Sequence, residues 1–319
     1  MKILVVGGTG HIGSYLVPKL ILNGHEVLVI ARHAQPRYAD PKILWDQVKW
    51  IVADRTAEEK DNTWRERMLH LNVDIVIDLL CFTPEQNQIM YECFKGRITH
   101  FLHCGTIWSY GPCESIPYEE RFVRRPITEY GINKAKIETF LLNTYHQDGF
   151  PATILHPGHI SGRRWLPIDP QGTINGVKIY EHLAKGEKVH LPGDGLATLH
   201  HVHGDDVAQI FELAMQHREQ SLGEAFSVVA PYAVTLKGLC RHIASLFGQI
   251  PNLEYLPLEK MHEVMDKNAF EGTRAHVIHS SCCSISKAQR LLGYQPRYTT
   301  EQIFLECIEY LLESGQLII

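Results

Sequence analysis

The first two dozen residues limit the fold of this chain more than any other stretch. Lys2–Val6 is a short apolar run, and glycines follow at three-residue intervals in Gly7-Gly8-Thr9-Gly10-His11-Ile12-Gly13. Over Gly13–Asn23 the apolar residues Leu16, Val17, Leu20 and Ile21 recur at the spacing of one helix face. Gly24 is placed to stop that helix, and Val27–Ile30 supplies the next apolar run. Strand, glycine turn, helix and strand form the opening unit of a parallel sheet. A turn built on glycine lets the backbone approach a pyrophosphate, and the helix start aims free N–H groups and positive dipole at it. On this reading Gly7, Thr9, Gly10, His11, Ile12 and Gly13 hold a dinucleotide.

The end of the second strand bears on which dinucleotide. An acidic residue there would accept from a ribose 2′-hydroxyl, whereas this chain carries Arg32, which favours a 2′-phosphate and so NADP, with NAD as the other choice. His33 and Arg37 add positive charge nearby. Asp54, after the run Val48–Ala53, is placed either to accept from an adenine amino group or to cap local backbone.

The alternation continues with helices expected at Thr63–Leu71, Glu85–Phe94 and Ile132–His146. Strands are expected at Val48–Val52, Val73–Leu80, Thr99–His103 and Ala152–Leu155. Val73–Leu80 is nearly continuous in apolar residues, as in a strand buried on both faces. The reading is an α/β doubly wound parallel sheet over residues 1–157. Residues 158–319 form mainly a smaller, irregular α/β substrate-binding domain, and 200–220 return to the first. Helices are expected there at Asp205–Met215, Leu236–Leu246, Lys287–Leu292 and Glu301–Glu313.

Composition excludes several classes. With 31 Lys plus Arg against 36 Asp plus Glu, the net charge is −5, so no strong basic surplus points to a nucleic-acid partner and none is expected, although a local basic patch stays open. No apolar stretch approaches the ~20 residues of a bilayer helix, and the start of the chain does not read as a signal peptide. Eight cysteines without a C-x-x-C pair read as reduced, buried thiols, which points to the cytoplasm.

Tyr130-Gly131-Ile132-Asn133-Lys134 sets a phenol and an ammonium one helical turn apart on one face. An ammonium beside a phenol stabilises phenolate, lowers a pKa that is about 10 in free tyrosine, and makes an acid/base for an alcohol or carbonyl. Thr106 adds a hydroxyl after the preceding strand.

In that order these elements resemble the extended short-chain dehydrogenase/reductases, the NAD-dependent epimerase/dehydratase family with its Rossmann domain. The resemblance rests on the glycine turn, Thr106-Ile107-Trp108-Ser109-Tyr110-Gly111, Pro126–Lys134, Leu191-Pro192-Gly193-Asp194-Gly195 and Val202–Ala208. It extends to Ser286-Lys287-Ala288 and Leu292-Gly293-Tyr294-Gln295-Pro296. It implies that Tyr130 is the general acid/base, that Lys134 lowers its pKa and holds the nicotinamide ribose, and that Thr106 hydrogen-bonds the reacting oxygen. It also implies that Leu79 and Leu80 line the adenosine side and that Pro157 lies near the nicotinamide. The function it implies is hydride transfer at a secondary alcohol or carbonyl of a sugar or sugar-nucleotide-like substrate, as an epimerase or a one-way reductase. Homodimers are common in the family.

Two departures bear on the substrate. Leu199-His200-His201 stands where many sugar-nucleotide epimerases of the family carry a diphosphate-holding Arg, and His159 replaces an expected Asn. Ile107 and Trp108 stand where sugar dehydratases carry an acidic pair, which argues against 4,6-dehydration. Trp108, His159, Arg163 and His201 are the candidate substrate contacts. Arg163 and Arg164 fit either a phosphate or plain surface charge. The 19 histidines cluster at His200, His201 and His203, with His156 and His159 nearby, yet the chemistry needs no metal and none is expected. Two alternatives stay open: an NADP-dependent reductase of a non-sugar carbonyl, and a non-catalytic dinucleotide-sensing or RNA-associated relative.

Overall fold

The computed structural model describes residues 1–37, 42–112, 114–174 and 176–319, leaving Cys113 among the residues outside that description. The first part of the chain alternates as the apolar pattern predicts. It runs β1 (Lys2–Val6), α1 (His11–Leu22), β2 (Glu26–Ala31), α2 (Lys42–Trp45), β3 (Lys49–Val52), α3 (Arg55–Lys60) and α4 (Thr63–His70). It continues through β4 (Ile75–Asp78), α5 (Pro84–Phe94), β5 (His100–Cys104), α6 (Glu129–Asp148) and β6 (Ala152–Pro157). Next come β7 (His159–Ser161), α7 (Lys178–Lys185), β8 (Lys188–Pro192), β9 (Thr198–Leu199), β10 (His201–His203), α8 (Gly204–Gln216), α9 (Arg218–Ser221) and β11 (Glu224–Val228). The remainder is β12 (Val234–Thr235), α10 (Leu236–Leu246), β13 (Asn252–Leu256), α11 (Lys267–His279), α12 (Ser286–Leu292) and α13 (Thr300–Glu313).

Seven strands form one parallel sheet in the order β11-β6-β5-β4-β1-β2-β3. The order reverses at β1, which pairs with β2 on one side and β4 on the other, and a doubly wound sheet opens its ligand crevice at such a reversal. β1 is buried on both faces. Ile3 and Val5 join a core with Leu16 and Val17 of α1 and Val207 and Phe211 of α8, whereas Leu4 and Val6 join Trp64, Met90, Ile137 and Leu141 on the other face. A third core, with Tyr180, Leu183, Leu236, Ile243, Phe304 and Ile308, belongs to the second half.

The returning segment is longer than residues 200–220. It includes α8, packed on α1, and extends through β11, which pairs with β6 from Glu224↔Thr153 to Val228↔Pro157. Asp206 of α8 ties the C-terminal segment to this domain, since its buried carboxylate accepts from the backbone N–H of Arg297 at 2.8 Å and of Tyr298 at 3.2 Å. Asp206→Ala strands two donors and is expected to cost about 2 kcal/mol or more, while Asp206→Asn, which keeps an acceptor, costs less. Urea midpoints of the three proteins check the ranking.

Candidate active site

The glycine turn has no room for side chains at two of its positions. A Cβ on Gly13 would stand 2.0 Å from the carbonyl oxygen of Gly8, and Gly7, at φ +83°, would put one 2.3 Å from the Leu80 side chain. Gly10 caps α1 with no side-chain hydrogen bond, and the first turn carries no acidic residue, so the helix start keeps its donors for a ligand. A cavity of about 920 Å³ opens over this turn.

Gly7, Thr9, Gly10, Arg32, Asp54 and Leu80 all line that cavity. Of the other expected cofactor contacts, His11, Ile12, Leu79 and Pro157 are buried and do not line it. Ile12 and Leu79 are packed in the core beneath the sheet's α1 face, Pro157 is buried where β6 pairs with β11, and His11 is buried against Tyr15 and Trp165. Asp54 does the local work that one reading gave it: it caps α3 by accepting from the N–H of Thr56 at 3.0 Å and of Ala57 at 3.2 Å. Arg55, which spacing did not single out, also lines the cavity and is clamped by both oxygens of buried Asp78, at 3.0 and 2.9 Å, and by Glu59. Asp78 also accepts from the N–H of Leu80 and so shapes the loop that follows β4.

Tyr130 stands in the first turn of α6, whose start is capped by Thr128 accepting from Gly131 N–H at 3.1 Å. Its ring is partly exposed, with Trp108 at 6.4 Å and Phe82 at 6.5 Å between ring centres, and the Thr106 side chain is near enough to its hydroxyl to favour the phenolate. Lys134 comes up beneath. Its ammonium is buried, donates to the Cys104 carbonyl at 2.5 Å, and lies 5.1 Å from the centre of the Phe82 ring and 5.9 Å from that of Tyr130. The three residues expected to act together are therefore together, but the expected depression of the phenol is absent. Burial pushes Tyr130 up to about 12, with the Thr106 bond opposing, and burial lowers Lys134. Burial of the phenol is the main physical reason for the difference, and the ammonium's hydrogen bond goes to the Cys104 carbonyl.

A chain of buried groups that the sequence reading did not assign supports Thr106. His156 Nδ1 accepts from Thr106 N–H at 3.0 Å, which leaves its ring proton on Nε2, 3.4 Å from Glu138. Arg124 closes the chain with two hydrogen bonds to Glu138, at 3.0 and 2.5 Å. Glu138 follows Lys134 by four and Tyr130 by eight on α6, so the helix-face spacing was the available signal.

The expected substrate residues divide. Trp108 stacks on His279 at 4.3 Å and 9°, meets His276 at 5.1 Å, and faces His159 at 6.3 Å. His276 and His279 arrive on α11, a helix that the sequence reading left unassigned. His201 lies behind His159, at 5.6 Å, and is fixed by its bond to the Ile168 carbonyl. Burial draws all four imidazoles down, His201 to about 3, so they are neutral. Arg163 is engaged elsewhere, ion-paired to Glu313 and over Tyr310 of α13. His200 is structural, holding the Ala230 carbonyl and the Cys283 N–H. Among the described residues, no group of three or more His, Cys, Asp or Glu side chains is arranged to hold a metal ion.

Residues 3–228 match the model of the NAD dependent epimerase/dehydratase family. The chain belongs to that family. It is accordingly an NAD(P)-dependent enzyme of the extended short-chain dehydrogenase/reductase type, built on a Rossmann sheet. It is 23% identical to the 2′-dehydrokanamycin reductase of Streptomyces kanamyceticus, over 85% of this chain and 73% of that protein. It is 24% identical to the chloroplast stem-loop binding protein of 41 kDa b of Arabidopsis thaliana, over 93% of this chain and 75% of that one. Its fold is similar to that of the Thermotoga maritima UDP-glucose 4-epimerase solved with UDP-glucose, with a TM-score of 0.73, 24% identity, and 99% and 100% of the two chains covered. No helix among the described residues is long and apolar enough to cross a membrane.

The Glu138 carboxyl carries a pH signature. Burial alone would raise it, but His156 and Arg124 hold it down to about 2. A folded-state value below the ordinary 4.5 means that the stability it contributes is present above about pH 4.5 and lost as pH falls toward 2. Glu138→Gln is expected to lose about 2 kcal/mol or more at pH 7 because Arg124 keeps a buried charge without its partner. The gap to wild type is expected to narrow in urea melts at about pH 3.

Proposed function

We propose that this protein catalyses NADP-linked hydride transfer at a secondary alcohol or carbonyl of a sugar-like substrate, with Tyr130 as the acid/base. The observation that carries the reading is the grouping of Tyr130 and Thr106 with buried Lys134, joined to the glycine-turn cavity by Phe82, which lines that cavity and lies 6.5 Å from the Tyr130 ring and 5.1 Å from the Lys134 ammonium. The fit of a dinucleotide rests on the cavity's volume and on glycines whose Cβ positions are filled by neighbouring atoms. Gly7, Thr9 and Gly10 would hold its pyrophosphate, Arg32 a 2′-phosphate, and Leu80 its adenosine side. When bound, the nicotinamide supplies or accepts the hydride.

The proton is the protein's part. Tyr130 is protonated at neutral pH, so it is ready to donate to a substrate oxygen that gains a hydride, and Thr106 holds both that oxygen and the phenol in line. For oxidation the phenol must first lose its proton, with the Lys134 charge nearby to stabilise the phenolate. The same pair serves a one-way reductase or an epimerase that returns the hydride to the other face.

Arg32, exposed at the end of β2 and facing the cavity, supports NADP over NAD. The neutral imidazoles beside Trp108, together with Arg163 committed to Glu313, favour a hydroxylated ring or other uncharged carbonyl over a nucleoside diphosphate sugar. Buried thiols at Cys81, Cys93, Cys104, Cys240 and Cys307 outside any disulfide support a cytoplasmic location. A second reading, a non-catalytic or RNA-associated protein, has the Arabidopsis relative in its favour; the retained Tyr130, Lys134 and Thr106 speak for the enzyme.

A screen of sugars, sugar acids and nucleotide sugars, followed by cofactor absorbance and by product analysis for inversion, identifies the reaction. Tyr130→Phe is expected to abolish turnover and leave NADPH binding within about twofold. Turnover that survives the change removes Tyr130 from its role. Arg32→Ala is expected to weaken NADPH about tenfold or more and to leave NADH unchanged, read by fluorescence titration. Tighter wild-type binding of NADH than of NADPH overturns the NADP assignment.

A further inference from the structure

All but one of the described residues lining the glycine-turn cavity come from residues 6–86; the exception is Trp165, from the second half of the chain. Its indole is partly exposed and stacks on His11, the first residue of α1, at 5.5 Å and 23°. His11 is a neutral platform for that contact, because burial draws it down to about 4.

The indole is held in place from the far side. Gly162 and Trp165 close a tight turn with reciprocal backbone bonds, Gly162 N–H to the Trp165 carbonyl at 3.2 Å and Trp165 N–H to the Gly162 carbonyl at 2.9 Å. Gly162 sits at φ +147°, where an added Cβ would meet His203 Nε2 at 2.7 Å and His11 Nε2 at 3.0 Å. The thiol of Cys307, on α13, donates to the Gly162 carbonyl at 3.1 Å. Between the turn's ends, Arg163 pairs with Glu313 of the same helix. The turn therefore belongs to α13 by its bonds and to the cavity by its indole.

We propose that Trp165 is a cofactor-binding residue that closes the glycine-turn end of the cavity, so that both halves of the chain hold the dinucleotide. The inference rests on the reading of this cavity as a dinucleotide site, and it adds a contact that the N-terminal glycine pattern does not contain. A flat indole over a helix start offers apolar area to a ribose. The adenosine end, at Arg32 and Asp54, is walled by the first half alone.

The test uses two ligands of different length on the full chain. NADPH spans the cavity, whereas 2′,5′-ADP carries the adenosine, the 2′-phosphate and one 5′-phosphate only. Trp165→Ala is expected to weaken NADPH about tenfold, mostly through faster dissociation, and to leave 2′,5′-ADP within about twofold. Trp165→Phe, which keeps an aromatic face, is expected to recover most of the loss. NADPH affinity unchanged in Trp165→Ala overturns the proposal, as does an equal loss for both ligands, which would mark a collapse of the cavity. If wild type prefers NADH, the Arg32 assignment fails while the Trp165 test proceeds with NADH and AMP. Wild type that binds neither dinucleotide ends both readings.

Discussion

Backbone meeting backbone at Gly8 and Gly13 is the contact on which the rest of the molecule depends. The helix start can approach the end of β1 only because no side chain stands between them: a single added carbon would sit 2.0 Å from a carbonyl oxygen. That approach points uncapped N–H groups into the crevice where the strand order reverses. The crevice is thus a product of chain geometry before any charged side chain contributes to it.

The reacting side of the crevice is built differently, from buried charge. Lys134 and Glu138 leave the same face of α6 and are both buried, one anchored on the Cys104 carbonyl and the other between Arg124 and His156. Together they fix the two ends of the β5 exit loop: Cys104 through its carbonyl, and Thr106 through its N–H by way of His156. Thr106 in turn lies near the Tyr130 hydroxyl and favours its phenolate. One helix therefore carries the phenol and also supports the loop beside it, through contacts that reach 30 residues back to Cys104 and, by way of His156, 50 residues across to Thr106.

Most of the sheet was legible because strands buried on both faces read as unbroken apolar runs and the helices between them keep a 3.6-residue period. Leu236–Leu246 was placed at both ends from its stripe alone. The missed helix α11 has polar and apolar residues mixed along Lys267–His279 and buries few of them. Its role, bringing His276 and His279 to Trp108, depends on tertiary docking that no window of sequence contains. The glycine turn and the Tyr–Lys pair were legible because each is a local pattern. The Arg124–Glu138–His156 chain joins residues from a loop, a helix and a strand, and only the α6 spacing hinted at it. Spacing shows that a lysine is near Tyr130 but not how deeply the phenol is buried, and burial sets the direction of its shift.

The seven-stranded sheet takes its outermost strand on the β6 side from residues 224–228, long after the chain has left at Pro157 to build the second half. A fragment cut at that departure point would end on a bare β6, its outward backbone donors and acceptors from Thr153 onward open to any extended peptide. Such a piece would tend to self-associate along that rim. The strand at 224–228 thus seals that edge, and during synthesis the ribosome must extend the polypeptide well past Pro157 before the margin can be covered.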